Sequence, residues 1–97
     1  ERLLERMIGR MIDINFHLAT EAGSAPPRDY FDSFLRLAPL GVLDADFARR
    51  IAACTGLRNR IAHQYAELYP RRVHAAVGDA LVDIPEYLRH IERFISA

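Results

Sequence analysis

Apolar residues recur at alternating three- and four-residue intervals along most of this 97-residue chain, and no stretch alternates polar and apolar side chains as a half-buried strand would. That periodicity admits an all-helical fold and little else. In the first segment Leu4, Ile8, Met11, Asn15, Leu18 and Ala22 fall on one helix face, and Gly23 supplies a C-terminal stop. Ser24-Ala25-Pro26-Pro27 reads as a loop. A shorter helix is expected next, burying Tyr30, Phe31, Phe34, Leu35 and Ala38 and closed by Pro39 and Gly41. Asp44 suits the N-cap of a third helix, with Leu43 and Ala48 at hydrophobic-staple positions. Phe47, Ile51, Cys54, Ile61 and Tyr65 continue it, with Gly56 as the expected point of bending or close crossing. Pro70 suits the first turn of a fourth helix whose apolar stripe reads Val73, Val77, Leu81, Ile84, Leu88, Ile91 and Ile95. Pro85 removes a backbone donor within that stripe, which predicts a kink or restart between Leu81 and Glu86. The expectation is a compact, up-and-down four-helix bundle forming a single domain over residues 1–97.

A domain this small leaves much of its surface uncovered, which favours oligomerisation. One cysteine cannot form an intrachain disulfide, so a reducing, cytoplasmic setting is expected. No apolar run approaches the roughly 18 residues that span a bilayer. Charges at Glu1, Arg2, Glu5 and Arg6 break up any signal-peptide core, and the missing initiator methionine suggests that a few native N-terminal residues are absent. Thirteen basic residues, all arginine, balance thirteen acids, yet their distribution is uneven. Between Phe47 and Gly78, Arg49, Arg50, Arg58, Arg60, Arg71 and Arg72 face only Glu67, a local charge of +5 against −5 elsewhere. Such a band predicts a groove for an anionic partner, with the acidic remainder as outer surface or partner contact.

Several chemistries find no support in the spacing. His17, His63, His74 and His90 lack the short paired intervals of a zinc site. Cys54 lies on an apolar stripe, where thiols are ordinarily inert. No glycine-rich phosphate loop is present, and no cofactor is implied. What remains is Gly56-Leu57-Arg58-Asn59-Arg60-Ile61-Ala62-His63-Gln64-Tyr65. Asn59 and His63 are four apart and share a helix face, so the amide can orient the imidazole or the substrate. A guanidinium grips phosphate through two hydrogen bonds, and an imidazole titrating near neutrality moves protons. Together they suit attack of an RNA 2′-hydroxyl on its own phosphate. Arg58 and His63 are five apart, roughly 140° around an ideal helix, so they converge only through arginine's length, a local distortion or a second subunit. The bland alternative is a solvated Arg-Asn-Arg face beside a structural histidine.

The run Arg58-x4-His63-x-Tyr65 resembles the R-x4-H-x-Y signature of HepT proteins, within the HEPN superfamily. The similarity takes in Asp13-Ile14-Asn15-Phe16-His17, the helix at 27–37, the lead-in at 43–53 and the restart Pro70-Arg71-Arg72-Val73, so it covers nearly the whole chain. The resemblance implies a homodimeric, metal-independent endoribonuclease acting as the toxin of a prokaryotic toxin–antitoxin pair. Arg58 and His63 would be its catalytic pair, with Asn59, Arg60 and Tyr65 supporting them or binding substrate. The implied partner is an MntA-type minimal nucleotidyltransferase that silences the nuclease by transferring AMP to a tyrosine. Tyr65 is the motif's tyrosine and thus the candidate acceptor. Arg60 leaves no tyrosine between Arg58 and His63, where some relatives are modified. A competing reading makes the chain a non-catalytic accessory subunit of a nucleotidyltransferase.

Outside the motif, Asn15 on the apolar face favours a structural role over lining a cleft, and Asp13 with His17 can form an i,i+4 surface pair. Arg71, Arg72 and His74 are expected exposed at a helix start, within reach of RNA backbone. Tyr30, Phe31 and Phe34 are expected in the core rather than as a base-stacking platform.

Overall fold

A computed structural model describes residues 2–57 and 70–96 of the chain. The fold is all-α, and the described residues form four helices: α1 (Arg2–Glu21), α2 (Tyr30–Leu35), α3 (Ala45–Ala52) and α4 (Pro70–Ser96). Residues 54–57 are helical as well, and no strand occurs among the described residues.

The helix boundaries follow local chemistry. Gly23 adopts φ +74°, and the amides of Gly23 and Ser24 turn back onto the carbonyls of Thr20 and Ala19, each at 3.0 Å, ending α1 in a left-handed cap. Asp29 opens α2 by accepting the Asp32 amide at 2.7 Å, while the Asp32 carboxylate accepts the Arg28 amide at 2.9 Å. Turns then carry the chain to Gly41, whose φ of +80° lets the Val42 amide reach the Leu37 carbonyl at 3.0 Å. Asp44 occupies the N-cap of α3, as its position predicts, but its side chain makes no capping hydrogen bond. Its carboxylate is exposed and lies 3.9 Å from His90 Nε2.

One apolar cluster joins all four helices. Leu4, Ile8, Met11 and Ile12 of α1 meet Phe34, Leu37, Phe47, Ile51, Ile84, Tyr87 and Ile91. Leu43 and Ala48, the staple pair, are both buried within it. Each large side chain withdrawn from water contributes about 1.5–3 kcal/mol.

Several expectations from periodicity are corrected. Phe34 is fully buried, but Tyr30 and Phe31 are exposed; six helical residues present only one face to the core. Ala22, past the last buried residue of α1, is exposed too. On α4 the buried face is Ala80, Asp83, Ile84, Tyr87, His90 and Ile91. It is rotated away from Leu81, Leu88 and Ile95, all of which are exposed, because Tyr87 bonds the buried Asn15, His90 stacks on the buried Phe47 and Asp83 pairs with Arg50 of α3. The α4 helix also runs through Pro85 without restarting. Pro85 and Leu81 are both exposed, so the Leu81 carbonyl that loses its intrahelical donor lies on the solvent side. Finally, the turn in the third helical segment falls at Ala53 and precedes Gly56, which lies within helical residues 54–57.

Candidate functional site

Arg58, Asn59, Arg60, His63 and Tyr65 lie outside the described residues. What the structure shows is the frame around them. On the near side Leu57 is buried at 2% exposure, anchoring the end of helical residues 54–57 in the core. On the far side the chain resumes as α4 at Pro70, with Arg71, Arg72 and His74 exposed, as their place at a helix start predicts.

Between α3 and α4, a groove of about 680 Å³ is lined by Arg50, Cys54, Leu57, Asp79 and Asp83 among others. Its basic character is largely cancelled. Arg50 Nη2 lies 3.0 Å from Asp83 Oδ1 and Nε lies 3.3 Å from Oδ2, a forked pair that also holds the guanidinium 5.0 Å above the Phe47 ring. Phe47 stacks in turn on His90 at 5.0 Å, and His90 Nδ1 is 2.8 Å from the Glu86 carbonyl oxygen. Arg49 pairs with Asp46 on the same helix. Two of the six arginines in the basic band therefore already have carboxylate partners, which offset their charge. Arg58 and Arg60, at the centre of that band, lie outside the described residues.

Cys54 is buried, and desolvation followed by the neighbouring Asp83 charge pushes its thiol up to about 12. It stays protonated at neutral pH, which removes it as a nucleophile. Among the described residues no cluster of His, Cys, Asp or Glu is placed to hold a metal ion, and no helix is long and apolar enough to cross a membrane.

The polar residues of α1 divide into two roles. Asn15 is fully buried: its Oδ1 accepts the Tyr87 hydroxyl at 2.5 Å and its Nδ2 donates to Ser33 Oγ at 3.2 Å. Ser33 donates onward to the Tyr30 carbonyl at 2.6 Å. Asn15 thus ties α1 to α2 and α4 and lines no cleft. Asp13 and His17 are exposed and form no ion pair with each other. The other polar feature of α1 was not anticipated from the charge distribution. Arg2, Arg6 and Arg10 line a cleft of about 620 Å³ whose other wall includes Tyr30. The signal was the i, i+4, i+8 spacing of the three arginines, hidden because Glu1, Glu5 and Asp13 cancel them in a running sum of charge.

Residues 1–91 match a family described as Ribonuclease HepT-like. The chain is 35% identical over 95 residues to the tRNA nuclease HepT of Aphanizomenon flos-aquae, covering 98% of this chain and 65% of that protein. It is 26% identical over 81 residues to a provisionally named RNase of Archaeoglobus fulgidus, covering 84% of this chain and 61% of the relative. The chain spans less than two thirds of the length of both relatives. No solved structure gives a significant match. A match over nearly the whole chain, on an all-helical framework whose core and buried polar links join its first, second and last helices, makes this chain a member of the HepT-like ribonuclease family.

Proposed function

We propose that the chain is an endoribonuclease toxin that cleaves RNA without a metal, using Arg58 and His63. The observation that carries this reading is the R-x4-H-x-Y run at 58–65 within a chain that belongs to the HepT-like ribonuclease family. The substrate class follows the relative's name, which makes transfer RNA the first RNA to test.

His63 takes the proton of a ribose 2′-hydroxyl as its oxygen attacks the adjacent phosphorus. The P–O5′ bond breaks, the 5′-oxygen takes a proton from a protonated His63 imidazole or from water, and the products are a 2′,3′-cyclic phosphate and a 5′-hydroxyl. Arg58 neutralises the charge that builds on the phosphoryl oxygens, an effect worth several kcal/mol in a preorganised site. Asn59 and Arg60 orient the imidazole and the strand. The chain works as a cytoplasmic homodimer that brings two motifs together, and this relieves the five-residue offset between Arg58 and His63. Support for self-association comes from Leu81, Leu88 and Ile95, exposed at seven-residue intervals along α4 beside its buried face. An MntA-type nucleotidyltransferase silences the enzyme by moving AMP onto Tyr65. The phosphate and the nucleoside then add charge and bulk beside the RNA site.

Cleavage of transfer RNA in EDTA tests the reading. Activity in the unmodified chain, lost in both Arg58→Ala and His63→Ala, is the expected result; equal rates in all three would overturn it.

A further inference from the structure

The three α1 arginines and Tyr30 form a surface that the catalytic reading does not use. Arg2, Arg6 and Arg10 recur every four residues, so they advance about 6 Å per step with only a modest sideways drift. That step is on the order of the separation between successive phosphates of one RNA strand. All three side chains are exposed, and none forms an ion pair with a described residue. This contrasts with Arg28, Arg36, Arg49, Arg50 and Arg89, each of which has a carboxylate partner. Opposite the row, Tyr30 is 54% exposed and its ring is steadied by an edge contact with Phe16, the centroids 6.5 Å apart. Gly9 lies between the second and third arginines, where even a Cβ would meet open space, so the cleft is unobstructed at that point.

We infer that this cleft is a second RNA-backbone site, with the α1 arginines contacting successive phosphates and Tyr30 offering a face on which a base stacks. The inference rests on the nuclease reading above and adds to it where a single strand lies on the protein. Glu5 and Asp13 line the same cleft and reduce its net charge to +1. The groove therefore suits a backbone held at several points better than a free phosphate bound tightly. Unlike the arginines at 49 and 50, these three form no ion pair with a described residue that RNA would have to displace.

The test is the affinity of the full chain for a labelled single-stranded RNA of about 20 nucleotides across a salt series. Both the probe protein and its variant carry His63→Ala, so that no RNA is consumed. Adding Arg2→Gln, Arg6→Gln and Arg10→Gln is expected to weaken binding roughly 10–100-fold at low salt and to flatten the slope of log affinity on log salt by about 2. Tyr30→Ala is expected to weaken binding several-fold, with Tyr30→Phe restoring it, because the ring and not the hydroxyl stacks. All four side chains are exposed, so an unchanged melting temperature checks that the fold is intact. In an otherwise native chain, the triple glutamine variant should still cleave a dinucleotide at the unmodified rate, since the one phosphate of so short a substrate is the one that reacts. Unchanged affinity and slope in the triple variant would overturn the inference whatever the nuclease result. RNA that is bound in an arginine-dependent way yet never cleaved would overturn the nuclease reading alone.

Discussion

The hydroxyl of Tyr87 on α4 meets Oδ1 of Asn15 on α1 at 2.5 Å, in an interior where both side chains are fully buried. The same hydroxyl lies 3.2 Å from the Met11 carbonyl, and the Tyr87 ring meets the Phe34 ring edge-on at 5.8 Å. One side chain from the last helix thereby sets its register against the first two. Burial holds the Tyr87 phenol well above its ordinary pKa, so it remains a donor at any physiological pH.

Tyr87→Phe is expected to destabilise the chain by about 1–3 kcal/mol, because it leaves the buried Asn15 oxygen without its donor. Urea unfolding measures the loss. Adding Asn15→Leu should recover part of it, since the orphaned polar group is then gone. A double variant as damaged as the sum of the two singles would show that the pair is not coupled.

Asp32 gives acid sensitivity a specific location. Its carboxylate accepts the Arg28 amide at 2.9 Å and Arg36 Nε at 2.9 Å, and these bonds, the backbone one first, hold its pKa below the ordinary 3.8. The folded state therefore binds this proton less readily than the unfolded chain does. The resulting stability is fully present above 3.8 and is lost as pH falls through the lower folded value. Asp32→Asn should cost about 1–2 kcal/mol at neutral pH, with the difference from the unmodified chain shrinking in acid. A difference that stays constant with pH would assign the loss to packing instead.

Pro85→Ala should stabilise the chain by about 1–2 kcal/mol. The substitution restores an amide to the Leu81 carbonyl on the exposed side of α4, and the gain is partly offset by a more flexible unfolded chain. Thermal melting followed by circular dichroism checks this. A lower melting temperature would mean that the packing of α4 depends on the proline.

Cys54 should resist thiol reagents until the protein unfolds. Raising the thiol from 9.0 to about 12 leaves about a thousandfold less thiolate at neutral pH, before burial limits access. The rate of reaction with a disulfide reagent, with and without denaturant, reads the effect directly. Rapid labelling of the native chain would contradict it.

Leu88→Glu should yield monomers if the exposed α4 face joins two copies. The substitution places a charge in the middle of the Leu81, Leu88 and Ile95 row without disturbing the buried side of the helix. Sedimentation of both proteins at equal concentration decides the matter, and a dimer unaffected by the change would place the interface elsewhere.

Helical spacing carried most of the architecture. It located four helices, the glycine stop at Gly23, the start at Pro70 and the buried positions Leu4, Ile8, Met11, Asn15, Phe47, Ile51 and Cys54, while Ile61 and Tyr65 of the same expected stripe lie outside the described residues; these features depend on local backbone chemistry and on which side of a helix is apolar. The R-x4-H-x-Y run carried the family for a similar reason, being a local pattern of residue types. What the sequence could not decide was how far each helix rotates about its own axis. Leu81 and Leu88 belong to an apolar stripe as surely as Ile84 does, yet only the neighbours of α4 determine that Tyr87, Asp83 and His90 turn inward to Asn15, Arg50 and Phe47. Charge behaved alike. Summed along the chain, Arg49 and Arg50 looked free and Arg2, Arg6 and Arg10 looked cancelled; in three dimensions the first two are ion-paired, whereas the last three form no ion pair with a described residue, although Glu5 and Asp13 line their cleft. A Coulomb interaction depends on distance in space, and only the tertiary fold sets that distance.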